Sequence, residues 1–449
     1  MDLEGYARRA LRRGESYDTV LKKLTECIIE VKDISPNEAQ ALAKAILGEV
    51  EATSHLEDDL MSFTPSGVTM GEFGVGSRGA GDFYTHEKIA EIIGDTGAFI
   101  DSSQLDDSGA VSANGKYVVV TVDGMHSRLS DFPFLAGFHV TRAALRDIYV
   151  MGACPVALFS DIHLADDGDV AKIFNYTAGI AAVSELVNVP LITGSTLRIG
   201  GDMVIGDRMT GCVGAVGIAD DLTPRKEARP GDLILMTEGA GGGTISTAAL
   251  YFGRPHIVRE TLNVRFLRAC QVLLSAGFIP KIHAMTDVTN GGIRGDAAEI
   301  SKVSGTKLVF EEEKLRSLVN PAVLGMLDEL DIDYLGVSLD ALLIIPPPEV
   351  AADVLQLLRE HGIAAGIVGR VEKGSGAQLT KGNKRIDLTP KFRESAYTPI
   401  KKVVGESTKL DVPGMCTKVD TAAKNATKKK ADIIRFVLGQ DKLHQPRLR

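Results

Sequence analysis

The stretch ALRDIYVMGACPVALFS, residues 144–160, decides the fold. Its first part continues an apolar pattern of helical spacing that begins at Ala136, which predicts a helix over residues 136–151. Gly152 and Pro155 interrupt this pattern, and the apolar run at residues 156–160 then predicts a strand. A helix that passes through a short turn into a strand indicates a mixed α/β protein.

The flanking sequence repeats this alternation in both directions. A helix is predicted after the glycine-rich residues 65–82 and up to residue 93. Further strands and helices are predicted at residues 117–122 (strand), 168–187 (helix), 190–193 (strand) and 209–218 (strand). The segment 220–232 is polar and holds two prolines, as linkers do, and a second α/β block begins at residues 233–237 and runs to about residue 374. The predicted fold class is therefore α/β (α+β) with two domains, at residues 66–220 and 228–400.

Two further segments flank these domains. Residues 1–65 are predicted to form a helical extension, in which Ser35-Pro36-Asn37-Glu38 has the pattern of a capping box. Residues 406–449 hold ten Lys and Arg against five Asp and Glu, so this tail is basic while the rest of the chain is strongly acidic. The tail is predicted to be a mobile appendage with one short helix near residues 433–438.

Composition excludes several classes of protein. The chain has 449 residues and a net charge of −9, which argues against nucleic-acid binding because phosphate neutralisation needs basic faces. The five cysteines lack zinc-binding spacing and suggest a reduced, cytoplasmic protein. No apolar run approaches the 18 residues that a membrane span needs.

Acidic residues lie where the predicted strands end or turn. Asp106 and Asp107 precede an apolar stretch, Asp123 ends the strand 117–122, Asp147 lies on the helix 136–151, and Asp287 opens a glycine-containing turn. Any one of them could be an ordinary turn or cap residue. Taken together, carboxylates in such places suit Mg²⁺, which prefers oxygen ligands and usually also binds phosphate.

Three glycine-rich segments have the composition of phosphate-binding loops. They are residues 74–81, residues 239–244 and residues 290–292, and the last two directly precede helices. Glycine lets backbone N–H groups approach an anion, and a helix N-terminus favours negative charge. Each segment is equally compatible with a tight turn or a helix start, and none has the GxxxxGK[ST] pattern of a P-loop.

Two kinds of basic residue complete the predicted site. His126 lies three residues after Asp123, where it would contact substrate or phosphate, although a purely structural role is the alternative. Arg78 in the first glycine-rich segment, or Arg128, would offset charge on a transferring group.

The order of these motifs resembles the AIR synthase (PurM-like) superfamily, in the AIR synthase-related branch near selenophosphate synthetase, HypE and thiamine-monophosphate kinase. The motifs that carry the resemblance are, in chain order, Gly79-Ala80-Gly81, Asp106-Asp107-Ser108-Gly109-Ala110-Val111, Thr121-Val122-Asp123, residues 144–155, Thr193-Gly194-Ser195-Thr196, Pro230-Gly231-Asp232, Asp287-Val288-Thr289-Asn290-Gly291-Gly292 and Gly366-Ile367-Val368-Gly369-Arg370-Val371. They cover about residues 70–375.

The resemblance implies a homodimer whose first-domain sheets join, with ATP and Mg²⁺ bound in a cleft between the domains. It implies residues for three tasks: metal binding by Asp106, Asp107 and Asp123; catalysis by Asp123, Asp147, Arg78 and His126; and cofactor binding by Gly76, Gly79, Gly81, Thr196, Asp287, Asn290, Gly291 and Gly292. Relatives use ATP to phosphorylate or activate an oxygen of a small substrate.

Three hypotheses follow. The first is an ATP- and Mg²⁺-dependent enzyme of phosphoryl transfer or substrate activation. The second is a nucleotide-binding maturation or scaffold protein with little turnover, which delivers to a protein partner through its tail. This second hypothesis is favoured by the first glycine-rich loop, which lacks the reactive Cys and the Lys of selenophosphate synthetase. The third is a pseudoenzyme whose dimer is purely structural.

Overall fold

The structure is a computed structural model that describes residues 1–56, 60–61, 63–77, 79–289, 291–393, 396–405 and 411–444. It has a mixed α/β architecture of two sheets flanked by helices, as the sequence predicts. Across the described residues, none of the helices is both long enough and apolar enough to cross a lipid bilayer.

The chain begins with three helices that share a small core. They are α1 (Leu3–Arg12), α2 (Tyr17–Val31) and α3 (Pro36–Ser54). The Ser35 side chain accepts from the Glu38 backbone, and the Glu38 carboxylate accepts from the Ser35 backbone, which confirms the capping box. The three helices bury their apolar residues against one another and against Ile205 of the first domain. Two short helices, α4 (Met70–Phe73) and α5 (Ala80–Ile93), then flank the first glycine-rich segment.

The first sheet has five strands in the order β1-β2-β5-β3-β4. Their bounds are β1 (Gly109–Ala113), β2 (Lys116–Gly124), β3 (Cys154–Leu164), β4 (Leu191–Arg198) and β5 (Met209–Ala219). The helices α6 (Pro133–Val150) and α7 (Ala171–Val187) cover one face and complete a continuous apolar core with it.

The opposite face of this sheet carries several exposed apolar side chains. The register places Val120, Val122 and Ile218 on this face, where they are 43%, 61% and 40% exposed. The strand predicted at residues 117–122 is not an edge strand, because β2 pairs with β1 on one side and β5 on the other. The exposed apolar surface is the sheet face, and the edge strands are β1 and β4.

The second sheet has seven strands in the order β12-β11-β8-β10-β6-β9-β7. Its strands and helices are β6 (Leu233–Thr237), α8 (Gly243–Tyr251), α9 (Val258–Thr261), α10 (Arg265–Ser275), β7 (Ala284–Asp287), α11 (Gly292–Ser304), β8 (Thr306–Glu311), α12 (Glu312–Ser317), α13 (Pro321–Glu329), β9 (Leu342–Ile345), α14 (Pro348–Glu360), β10 (Ala365–Lys373), β11 (Ala377–Lys381) and β12 (Lys384–Asp387). Strands β7 and β9 are fully buried, and one apolar cluster runs from the first sheet to α10 and α14.

The tail differs from its sequence interpretation. After α15 (Pro399–Val404), residues Val412–His444 form a single helix, α16, rather than one short helix near residues 433–438. Its first half packs on α5, where the Tyr84 hydroxyl donates to Asp420 over 2.7 Å and Met415 is buried. Alanine and lysine are strong helix formers, and the packing on α5 adds tertiary support that a sequence pattern does not show.

Candidate functional site

Three carboxylates meet where the first domain faces the second. Oxygen atoms of Asp107, Asp147 and Asp287 all lie within 4.8 Å of one another. Asp107 precedes β1, Asp147 lies in the last turn of α6, and Asp287 is the final residue of β7. The sequence singled out all three, and the fold brings them together from widely separated positions in the chain.

Neighbouring side chains fix the direction of each carboxylate. The Thr121 hydroxyl of β2 donates to Oδ2 of Asp147 over 2.9 Å. Nε of Arg146 lies 3.0 Å from Oδ2 of Asp287. Asp107 is held on both oxygens, as its Oδ1 accepts from Arg225 over 2.6 Å and its Oδ2 accepts from the Thr286 hydroxyl over 2.9 Å.

The carboxylates in this region resist ionisation. Burial raises the pKa of Asp107 to about 6, against the opposing charge of Arg225. Burial, followed by the charges of Asp287 and Asp123, holds the pKa of Asp147 well above its usual value. Burial likewise raises the pKa of Asp106 to about 7. Burial, more than the surrounding charges, is therefore what opposes ionisation of these three carboxylates.

Arg225 is a residue of this site that sequence reasoning missed. It lies in the polar segment 220–232, and yet its side chain is only 2% exposed. Burial opposes its charge, but the carboxylates of Asp107, Glu299 and Asp296 outweigh burial and raise its pKa. The segment does join the two sheets, but it also contributes the main positive charge beside Asp107. Its composition resembles that of a linker, so only the three acids that pair with Arg225 across the fold distinguish it.

A second buried ion pair lies behind Asp287. Arg142 and Arg146 of α6 both pair with Asp340, which is buried and has φ = 55°. This left-handed conformation is uncommon for a residue with a side chain, and it holds the carboxylate between the two arginines. The pair ties α6 of the first domain to the start of β9 in the second, so the helix that carries Asp147 has a fixed position.

The donor set fits a hard divalent cation. Three carboxylates supply only oxygen atoms, which Mg²⁺ prefers, whereas zinc and copper favour the nitrogen and sulfur donors of His and Cys. Asp107, Asp147 and Asp287 would hold such an ion from two domains. Asp123 is half-buried on β2, and its charge contributes to the raised pKa of Asp147, so it lies close to this group. Asp106 points elsewhere and accepts from the backbone N–H of Arg225 over 3.2 Å.

The first glycine-rich segment closes onto another part of the chain. The backbone N–H of Ala80 donates to the Lys391 carbonyl over 2.8 Å, and that of Gly76 donates to the Asp82 carboxylate over 2.9 Å. A Cβ on Gly79 would come within 2.6 Å of carbonyl oxygens at both Lys391 and Phe392. Glycine is therefore required at residue 79 for a close approach of backbone to backbone.

The other two glycine-rich segments lie at helix starts, as expected. Gly291 and Gly292 have φ values of 98° and 60°, and a Cβ on Gly292 would lie 2.4 Å from the Leu335 carbonyl. Helix α11 begins at Gly292, five residues after Asp287, so its N-terminus follows the strand end that carries one of the three carboxylates. Gly243 begins α8, beside His126 and His139.

The remaining predicted residues lie elsewhere or outside the described residues. His126 is wedged between Tyr397, at 2.9 Å, and Thr247, at 3.1 Å, and burial followed by the charges of Lys401 and Arg128 lowers its pKa to about 4. Thr196 is exposed on the edge strand β4. Arg78 and Asn290 fall outside the described residues.

Models of known protein families match most of both domains. Residues 105–219 match the model described as AIR synthase related protein, N-terminal domain. Residues 229–382 match the model described as AIR synthase related protein, C-terminal domain. The two matches contain Asp107, Asp147 and Asp287.

Individual proteins show the same relationship. An uncharacterized protein of Methanocaldococcus jannaschii is 54% identical over 449 residues, which is 97% of this chain and 98% of the relative. The thiamine-monophosphate kinase of Pyrococcus abyssi is 26% identical over 63% of this chain and 87% of its own length. Among solved structures, the hydrogenase maturation protein HypE in complex with ATP superposes with a TM-score of 0.53 at 22% identity, over 64% of this chain and 88% of that one. That structural likeness shows a shared fold.

Proposed function

This chain belongs to the AIR synthase-related family, and on that premise we propose that it is an ATP- and Mg²⁺-dependent enzyme that phosphorylates or activates a small molecule. The observation that carries the proposal is the group of Asp107, Asp147 and Asp287 at the junction of the two domains. Phosphoryl transfer needs positioning and charge neutralisation more than covalent chemistry, and this group supplies a place for both.

Each part of the site has a task in this proposal. The three carboxylates bind Mg²⁺, and Asp123 adds negative charge beside them. The N-terminus of α11 receives phosphate oxygens, because its backbone N–H groups and its dipole favour an anion next to the cation. Mg²⁺, when bound, neutralises charge on the phosphates and bridges them to the protein. ATP is the expected nucleotide, since the kinase and the ATP-bound HypE among its relatives use or bind nucleotide.

A scaffold role is the second candidate, and one observation favours it. The N–H group of Ala80 donates to a carbonyl at Lys391, and so it is not directed at a ligand in this structure. A protein that holds nucleotide without rapid turnover would keep this loop closed and present another surface, such as α16, to a protein partner. Both candidates predict nucleotide binding, and they differ in turnover.

Titration calorimetry with ATP tests the proposal. ATP with Mg²⁺ is expected to bind, and ATP with a chelator is expected to bind much more weakly, because the metal links phosphate to carboxylate. ATP hydrolysis is then measured on the full chain and on a chain truncated after Gly405. Slow hydrolysis that no tested small molecule accelerates would favour the scaffold role. Equal affinity for ATP with and without Mg²⁺ would overturn the proposed use of the carboxylates.

A further inference from the structure

Arg225 joins the two halves of the carboxylate site through one buried side chain. Its Nη1 donates to the Leu105 carbonyl over 2.7 Å and to Glu299 over 2.8 Å. Its Nη2 donates to Oδ1 of Asp107 over 2.6 Å. Leu105 and Asp107 belong to the first domain, whereas Glu299 lies on α11 of the second, so a single guanidinium spans the junction.

Thr286 bonds to both Arg225 and Asp107, so the three side chains form a closed ring of hydrogen bonds. Its hydroxyl accepts from Nε and Nη2 of Arg225, over 3.1 and 2.8 Å, and donates to Oδ2 of Asp107 over 2.9 Å. One oxygen of Asp107 therefore accepts from the guanidinium. The other accepts from the Thr286 hydroxyl, which the same guanidinium orients. Each carboxylate oxygen keeps a further lone pair, and one of the two oxygens lies within 4.8 Å of an oxygen of Asp147 and one of Asp287.

We propose that Arg225, acting with Thr286, is the positioning residue that aims the Asp107 carboxylate at a divalent cation shared with Asp147 and Asp287. This inference rests on the proposed function, since it presupposes that these carboxylates bind the cation. Groups that orient the ligands of a metal without touching the metal commonly change its affinity by about 10–100-fold when they are removed.

A simple counter-charge would behave in the opposite way. If Arg225 only offset negative charge, its removal would strengthen the field of the carboxylates and tighten binding of a cation. If Arg225 positions Asp107, its removal weakens binding despite the extra negative charge. The sign of the change in affinity therefore separates the two roles.

Lysine provides the matched variant for charge. Its ammonium group keeps the positive charge but donates from one nitrogen, whereas the guanidinium donates to Leu105, Glu299, Asp107 and Thr286 from three. Arg225→Lys is therefore expected to behave like Arg225→Met rather than like the natural chain. Arg229→Met serves as the control, because Arg229 lies in the same segment with a side chain that is 60% exposed.

The test is a titration of the nucleotide-free full chain with Mn²⁺, followed by electron paramagnetic resonance of free and bound metal. Arg225→Lys and Arg225→Met are expected to bind Mn²⁺ about 10–100-fold more weakly than the natural chain. Arg229→Met is expected to bind as the natural chain does. Tighter binding by Arg225→Met, or unchanged binding by Arg225→Lys, would overturn the inference.

Variants at Thr286 keep the test decisive if those at Arg225 fail to fold. Thr286→Val has nearly the same shape but loses the hydroxyl, and Thr286→Ser keeps it. Thr286→Val is expected to weaken Mn²⁺ binding, while Thr286→Ser retains more of the affinity. Equal affinities for the two would overturn the inference. A natural chain that binds no Mn²⁺ would instead overturn the metal site of the proposed function.

Discussion

Two opposing effects act on the ionisation of Asp107. Its carboxylate is held by Arg225 and Thr286, which favour the ionised form, while burial and the neighbouring Asp287 oppose ionisation. Asp106, one residue earlier, accepts from a backbone N–H and is not part of the group of three. Adjacent aspartates in the sequence therefore have different surroundings, and we expect their substitutions to differ in effect.

Asp106→Asn, Asp107→Asn and Asp123→Asn are all expected to weaken Mg²⁺-ATP binding without unfolding the chain. Asp107→Asn is expected to have the largest effect, at least about tenfold, because it removes an anionic oxygen donor from the group itself. Asp106→Asn is expected to have a smaller effect, since its pKa near 7 means that the natural side chain is often neutral at neutral pH. Calorimetric titration of each variant measures this order, and unchanged affinity in all three would contradict the assignment.

The raised pKa of Asp107 also predicts a dependence on pH. A carboxyl group whose pKa rises from about 3.9 when unfolded to about 6 when folded stabilises the fold at low pH, and that contribution is lost as pH rises through 6. A cation requires the ionised form. Mg²⁺ should therefore raise the melting temperature more at pH 8 than at pH 5, which thermal denaturation with and without Mg²⁺ would measure. In Asp107→Asn the difference between the two pH values should shrink, and a constant Mg²⁺ effect in the natural chain would contradict the prediction.

Among single residues, the sequence identifies the acidic residues of the site better than the basic residue that pairs with them. Asp107, Asp147 and Asp287 stand out together because they lie before, on or at the end of predicted strands and helices, and the set points to Mg²⁺ although no single member does. Arg225 stands in a polar stretch whose composition suits a linker, so its burial depends on distant carboxylates that no local pattern contains. His126 lies three residues after Asp123 in the sequence, but its ring nitrogens contact Tyr397 and Thr247 in the fold.

Among the helices and strands, local signals account for most of what the sequence could predict. The helix at Pro36–Ser54 follows from its capping box, and the strand at Lys116–Gly124 follows from its β-branched run. The long helix α16 was not predicted from the sequence, because its basic, weakly apolar residues are typical of a solvated tail. Its support comes from contacts with α5, which is more than 300 residues earlier in the chain, as the bond from Tyr84 to Asp420 shows.

A chain truncated after Gly405 is expected to fold and to melt within about 5 °C of the full chain. Helix α16 buries Met415 and Ala423 but leaves Ile434, Phe436 and Leu438 about half exposed or more, so little apolar area depends on it. A loss of about 1 kcal/mol shifts the melting temperature of a protein this large by only a few degrees. Circular dichroism during heating measures the shift, with Tyr84→Phe as the control for the single bond to α16. A much larger shift would show that the tail is part of the structural core.

Viewed as a whole molecule, the chain is held together across its two domains by charge as well as by apolar contact. Arg146 of the first domain pairs with Asp287 and Asp340 of the second, and Arg225 reaches carboxylates of both. A cation bound by Asp107, Asp147 and Asp287 would add a third link at the same junction. Binding at this junction is therefore expected to stabilise both domains together rather than one alone.

The exposed face of the first sheet predicts that the protein is a homodimer. Val111, Val120, Val122, Leu197 and Ile218 lie on this face and are between 40% and 61% exposed. An apolar sheet surface of this kind is unusual on a monomer, and a second copy of the same face would cover it. Light scattering at micromolar concentration should therefore give twice the mass of one chain.

Val122→Asp is expected to shift this mass toward that of one chain, because the dimer would bury a charge against an apolar partner surface. Val403→Asp is the matched control, since Val403 is 89% exposed on α15, away from the sheet. It carries the same change of side chain and should leave the mass unchanged. A monomeric mass for the natural chain would refute the dimer, and loss of the dimer in Val403→Asp but not in Val122→Asp would move the interface from the sheet to the region of α15.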